Sequence, residues 1–233
     1  MEPLHILYED PHLVICCKPV GVLSEDGQAG RCMPELLREH YRSLGQKNPY
    51  IATVHRLDKI TGGVMVFSRR REVTGKLTAA VQAHEIVKEY LAVLRGHPAE
   101  PAATLTDLLF RDAGHNKSYV VKRPRKGVRE ASLFYRELSR TEELSLVRVQ
   151  LHTGRTHQIR AHLASIGCPI LGDSKYGNNA ANRELKLKYQ ALCAWELAFP
   201  KKISDPQFAA LAGKVFRAPK PWYYQQILDG TLK

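Results

Sequence analysis

Val54-His55-Arg56-Leu57-Asp58-Lys59-Ile60-Thr61-Gly62-Gly63 sets one carboxylate, Asp58, between two basic side chains and runs straight into the apolar Val64-Met65-Val66-Phe67. A carboxylate so placed is either an ion-pair partner on a loop or a nucleophile kept ionised by a nearby cation. The segment alone leaves both readings open. The apolar run after the Thr-Gly-Gly turn reads as a short strand, Val64 to Ser68, so the acid sits on the loop that feeds it.

Far along the chain stands a second segment, Leu151-His152-Thr153-Gly154-Arg155-Thr156-His157-Gln158-Ile159-Arg160-Ala161-His162-Leu163. It continues through Gly167-Cys168-Pro169-Ile170-Leu171-Gly172-Asp173 to Tyr176-Gly177. Between the two lies Lys88-Glu89-Tyr90, and ahead of both Lys18-Pro19-Val20-Gly21. In this order the motifs resemble those of the RluA family of RNA pseudouridine synthases: H-R-L-D-x-x-T-S-G, K-x-Y, and T-G-R-T-H-Q-[IL]-R-x-H-L followed by G-x-P-I-x-G-D-x-x-Y-G. The likeness runs from Lys18 to about Tyr176, most of the chain. One departure is plain: Gly62 stands where the family usually has serine, which removes a hydroxyl from the turn.

The resemblance implies a pseudouridine-synthase fold: α+β, a long mixed and mostly antiparallel sheet with flanking helices, in two subdomains around a central cleft. It implies one catalytic domain over residues 1–233, with no S4-type RNA-binding module before Lys18-Pro19. It implies an isomerase that detaches uracil from C1′, turns it and rejoins it through C5. That change needs no net redox step, so no cofactor and no metal is expected, and the chain contains no H-E-x-x-H, P-loop or G-x-G-x-x-G motif.

The same likeness assigns the residues. Asp58 is the essential aspartate, attacking the nucleotide or assisting loss of the base. Arg160 is the cation paired with it, since an opposite charge nearby favours the carboxylate. Tyr90 lies against the target base. Arg56 fills the space left by the extruded nucleotide, as enzymes acting on a base must unstack it, and His55 beside it is chiefly structural. Arg155, Thr156, His157 and Gln158, near a helix N-terminus, position phosphate. His157 and Arg160, three apart, share a helix face. A zinc reading of His152, His157 and His162 fails because spacings of five leave one face and no thiol or acid adjoins.

Charge supports a polyanionic partner. The 233 residues carry a formal net charge of +12, with a pI near 9.6, and Lys and Arg contacts to phosphate release counterions. Arg69-Arg70-Arg71, just past the strand after the Asp58 loop, is the preferred basic cluster for RNA. Lys122-Arg123-Pro124-Arg125-Lys126-Gly127-Val128-Arg129 is a second basic run, read equally as a solvated loop or an RNA contact.

Hydrophobic residues at 44% with mean hydropathy −0.31 fit a globular chain. No apolar stretch is long enough to cross a bilayer, and no signal-peptide pattern opens the sequence. The expectation is a cytoplasmic monomer with RNA as partner, no membrane contact and no obligate protein partner. Cys16, Cys17, Cys32, Cys168 and Cys193 show no ligand spacing and read as reduced, mostly buried thiols.

Periodicity sketches the rest. Leu4 to Tyr8 and Leu13 to Cys17 form a hairpin, and Pro34 to Leu44 and Glu72 to His84 are helices. Ile86 to Leu94, Ala131 to Leu138, Leu144 to Leu151 and Tyr189 to Phe199 are strands. Thr156 to Ile166 and Trp222 to Leu228 are helices, and Pro98 to Arg129 is a loop-rich basic stretch. A rival reading remains: a non-catalytic RNA-binding or ribosome-assembly protein on the same fold. The sequence names neither the RNA nor the uridine.

Overall fold

The computed structural model describes residues 4–27, 29–184 and 187–232. They form two compact units, each assembled from separate stretches of chain: residues 1–88 with 194–219, and residues 89–193 with 220–233.

The first unit is built on β1 (His5–Glu9), β2 (Leu13–Lys18), β3 (Ala52–Thr53) and β4 (Gly62–Ser68). Strand β2 pairs antiparallel with both β1 and β4, in register Ile15 to Val66, Cys16 to Met65 and Lys18 to Gly63. Every residue of β4 is buried, as are Leu13 to Cys16 of β2. Covered on both faces, these strands read as continuous apolar runs without alternation. Beyond β4 the hydrogen-bonded order continues to β10 (Leu192–Ala198), and β11 (Val215–Arg217) pairs with β10.

Helix α1 (Met33–Ser43) starts on Pro34, whose fixed φ suits a first turn, and buries Leu36, Leu37 and Tyr41. Helix α2 (Arg71–Gln82) buries Val73, Leu77 and Val81 at spacings of four. Each such side chain withdrawn from water contributes about 1.5–3 kcal/mol before entropy is set against it.

The second unit carries β5 (Val87–Arg95), β6 (Ala102–Asp112), β7 (Lys117–Val121), β8 (Val128–Arg140) and β9 (Leu144–Leu151) in the order β5-β9-β8-β6-β7. The pairings β5–β9, β9–β8, β8–β6 and β6–β7 are all antiparallel. Helix α3 (Gln158–Ser165) contributes Ala161 to a small cluster with Leu109 and Ala131. The short α4 (Asn179–Glu184) follows, and α5 (Trp222–Leu228) buries Tyr223 and Ile227. The Tyr223 hydroxyl donates to Leu91 O at 2.8 Å.

Three expectations are corrected. Residues 98–129 are not loop-rich: β6, β7 and the first two residues of β8 occupy most of them. In β6 the alternation is Thr104, Leu105, Thr106, with Leu109 the strand's one buried side chain, a half-buried pattern masked by the neighbouring charges. Helix α3 begins at Gln158 rather than Thr156, because His157 takes the left-handed conformation, φ 53°. His157 and Arg160 are therefore not an i, i+3 pair within a helix. The strand expected from Tyr189 to Phe199 is shorter, Leu192–Ala198.

The cysteines match their reading. None is disulfide-bonded; Cys16, Cys32 and Cys168 are buried, and Cys17 and Cys193 are partly so. Burial pushes the Cys17 thiol up to about 11 and Cys16 higher still. Among the described residues no helix is long and apolar enough to cross a membrane.

Candidate active site

In the first unit the site is a loop, residues 54–61, fastened from behind. Ser24 holds it at Leu57 from both sides: its hydroxyl donates to Leu57 O at 2.7 Å and accepts from Leu57 N at 2.9 Å. One residue past the acid, Lys59 O accepts Gly21 N at 2.8 Å and the Lys18 ammonium at 3.1 Å. Thr61 N closes the turn on Asp58 O at 2.9 Å. The Asp58 side chain is thus carried on a backbone tied down on either side.

Lys18 is unusual in being 1% exposed. Its Nζ donates to Val22 O at 2.6 Å, Pro19 O at 3.0 Å and Lys59 O, using all three ammonium protons on carbonyls. Desolvation pulls its pKa down to about 7, and the nearby charge of Asp58 opposes that fall. The Lys-Pro-x-Gly motif is thereby explained: lysine anchors, and Gly21 at φ 89° supplies the turn that returns its amide to Lys59.

The residues around Asp58 divide by exposure. Arg56 is exposed and pairs with Glu25 at 2.9 Å. His55 accepts a hydrogen bond from Val66 N through Nε2 at 3.1 Å. Desolvation, with Lys88 adding repulsion, holds its pKa down to about 3, so the ring is neutral and braces β4. A side chain on Gly63 would start 2.1 Å from Ala194 O, and φ is +122°, so only glycine fits. At Gly62 a Cβ would stand 3.1 Å from Lys18 O and 3.0 Å from Val20 Cγ2. A serine there is tight and fits only if both the Val20 side chain and the Lys18 carbonyl give by a few tenths of an ångström.

Arg69 and Arg70 are partly engaged. Arg69 stacks over Tyr41 at 4.0 Å, donates to Asp10 O at 2.6 Å and lies 3.7 Å from Glu9. Arg70 donates to Pro11 O at 3.3 Å.

In the second unit, Tyr90 sits on β5 opposite Val149 and is buried to 6% exposure. Arg160 is also buried, at 2% exposure, and grips Asp173 with a two-pronged bond: Nε to Oδ2 at 2.7 Å and Nη2 to Oδ1 at 2.8 Å. Asp173 further accepts the amides of Lys175 and Tyr176 at 2.9 and 3.1 Å. A planar guanidinium held by a carboxylate that is itself fixed by backbone has little rotational freedom.

The approach to α3 is equally fixed. Gln158 Oε1 accepts from Thr153 Oγ1 at 2.6 Å and Arg155 N at 2.9 Å, while its Nε2 donates to Ser132 O at 2.9 Å. Thr156 O accepts the Ser118 hydroxyl at 2.7 Å. The Tyr176 hydroxyl accepts Ser118 N at 2.7 Å and lies 3.2 Å from His157 Nδ1. Arg155 reaches Glu130 O at 3.1 Å and is otherwise exposed.

Sequence reasoning passed over Lys18, Asp173 and Tyr176 as working residues. Each lay in a quoted motif; the missing signal was burial, which no spacing reveals.

Residues 12–165 match the family model described as RNA pseudouridylate synthase. The RNA pseudouridine synthase YhcT of Bacillus subtilis is 35% identical over 214 residues, 90% of this chain and 68% of that protein. Ribosomal large subunit pseudouridine synthase D of Nitrosomonas europaea is 36% identical over 84% of this chain and 57% of its own length. The solved structure titled human RNA pseudouridylate synthase domain containing 4 superposes with a TM-score of 0.77 at 26% identity, covering 97% of this chain and 92% of that one. The chain belongs to the RNA pseudouridylate synthase family, and its fold is that family's α+β fold. Members of that family are isomerases that convert uridine in RNA to pseudouridine.

Proposed function

We propose that this chain isomerises uridine in structured ribosomal RNA, with transfer RNA the second candidate, and that Asp58 is the essential group. The observation that carries this reading is the Asp58 loop itself: an acid on a backbone clamped by Ser24, Gly21 and buried Lys18, within the motif the family shares. Rigid support of a reacting group lowers the entropic part of the barrier. The relative from N. europaea, named for the large ribosomal subunit, favours ribosomal over transfer RNA.

In this reading Asp58 acts at C1′ or assists departure of N1. Arg160, aimed by Asp173, supplies the positive charge that keeps the acid ionised. Tyr90 offers its ring to the detached uracil. The balance is internal: the C1′–N1 bond breaks, C1′–C5 forms, C5 loses its proton and N1 gains one. Arg56 occupies the gap left by the extruded nucleotide, and His55 braces β4 behind the loop. Arg155, Thr156, His157, Gln158, Arg69 and Arg70 belong to the surface that positions RNA. The enzyme works in the cytoplasm as a monomer, without an obligate protein partner.

The test is Asp58→Asn, which preserves shape and removes charge. Pseudouridine is mapped in total RNA from cells carrying the wild type or the variant. The reading expects one or more sites to vanish with the variant; an unchanged map in cells lacking the gene sinks it.

A further inference from the structure

The two basic clusters singled out in the sequence differ in what surrounds them. Arg69, Arg70 and Arg71 line an open pocket of about 770 Å³ whose wall also holds Glu9, Asp10 and Glu72, so the acids there match the bases in number. Arg71 lies over the Tyr50 ring at 5.6 Å, and Arg69 and Arg70 are bonded as described. Around the β7–β8 turn the balance is one-sided. From residue 113 to 129 the cations are Lys117, Lys122, Arg123, Arg125, Lys126 and Arg129, and no Asp or Glu intervenes. All but Lys117 are exposed.

This turn is not a loose run of charge. Arg125 lies over the ring of Phe110 at 4.4 Å, and Val128 N donates to Arg125 O at 3.0 Å. Gly127, at φ +86°, passes so close that a Cβ would meet Phe110 at 3.6 Å. The loop is folded down onto β6, and buried Val128 then enters β8 opposite Phe110. Tyr119, paired with Phe110 across β6–β7, is 41% exposed beside it. A concentrated positive charge on a pre-formed support loses less conformational entropy on binding than a free tail would.

Strand β7, which leads into this connection, is fastened at its other end to the segment that carries Arg160. Ser118, one residue past Lys117, bonds both Tyr176 and Thr156, and Lys175 Nζ donates to Asn116 O at 2.8 Å. The connection is thus carried between two strands of one sheet, both paired with β6, and β7 is in turn bonded to the segment beside α3.

We propose that the β7–β8 connection, residues 122–127, together with Arg129 at the start of β8, is a docking surface for the phosphate backbone of the substrate RNA, away from the target base. The proposal rests on RNA being this enzyme's substrate. Phosphate contacts fix register without reading sequence, which suits exposed cations that present no pre-shaped pocket for a base.

The test uses the full chain with Lys122, Arg123, Arg125 and Lys126 all changed to alanine, beside a charge-keeping Arg123→Lys/Arg125→Lys variant. The probe is a fluorescein-labelled RNA hairpin, followed by anisotropy as sodium chloride is raised. Four lost phosphate contacts are expected to flatten the slope of log K against log salt by about 3–4 and weaken binding about tenfold or more at moderate salt. The lysine variant keeps the wild-type slope. With pseudouridine-forming substrate at saturation, the alanine variant keeps kcat while KM rises. An unchanged slope and affinity in a variant that melts like the wild type overturns the proposal, and so does a loss confined to kcat. Because binding is read without chemistry, the docking surface and the Asp58 assignment fail separately.

Discussion

Lys18 and Arg160 are both cations with almost no exposure, yet they are held by opposite means. Lys18 spends its three protons on the carbonyls of Pro19, Val22 and Lys59. Arg160 is locked by the carboxylate of Asp173, each atom matched in a two-pronged pair. The difference follows from the side chains. A lysine can shed its proton when burial makes charge costly, whereas an arginine stays charged and needs a counterion. The first unit thus organises its loop through backbone oxygens, and the second aims its guanidinium through an ion pair.

Removing the counterion is the severest way to break that contrast. Asp173→Ala takes the two-pronged partner from a buried guanidinium, with an expected loss of about 3–5 kcal/mol in chemical denaturation. A loss below 1 kcal/mol would mean Arg160 does not depend on Asp173. Asp173→Asn, which keeps the volume, is expected to recover part of the stability and little activity.

Lys18→Met tests the other arrangement. It preserves the aliphatic stem and leaves three carbonyls short of a donor, for a cost of about 1–3 kcal/mol. Activity is expected to fall further than stability, because Lys59 O directly follows the acid. Equal loss of kcat and of folded fraction would make Lys18 structural alone.

The pH dependence sharpens the comparison. Lys18 binds its proton less tightly when folded, at about 7, than at the unfolded value of 10.5. Between these values the unfolded chain holds more protons, so the contribution of Lys18 to stability improves as pH rises, by at most about 1.4 kcal/mol per unit. Below about pH 7 both states are protonated and the penalty of burial is constant. The wild type is therefore expected to gain on Lys18→Met from pH 7 to 9.5 in paired denaturation curves. Parallel curves would refute the depressed pKa. No such dependence is expected from Arg160, which does not titrate in this range.

The smallest effect is expected at the departure from the family pattern. Gly62→Ser brings a Cβ within 3.1 Å of Lys18 O. A change of about 1 kcal/mol, read by thermal melting, is expected: the Val20 side chain can yield, and the Lys18 carbonyl has only a few tenths of an ångström to give. Gly63→Ala, aimed at the Ala194 carbonyl, has no such relief and is expected to give little folded protein.

Much of this was legible before any coordinates. The buried runs Leu13 to Cys17 and Val64 to Ser68, and the helix faces of Val73, Leu77 and Val81, declare themselves by period and composition. The hidden parts have common causes. Strands β6 and β7 carry charged and polar residues toward solvent, so their alternation is faint. Left-handed His157 delays the start of α3 to Gln158, two residues after the Thr156 that the pattern implies. Lys18 and Asp173 look like ordinary surface residues until their surroundings are known.

The order of the motifs, the net charge and the positions of Asp58, Tyr90 and Arg160 within those motifs are fixed by the chain itself, because they are written in the order of its residues. The partners of those groups are not. That Asp173 steadies Arg160, that Lys18 binds three carbonyls, and that Arg69 is tied to Tyr41 and Asp10 were decided by tertiary packing. The physical reason is that burial and pairing depend on residues brought together from distant positions, and the energy of a charge is set by those neighbours.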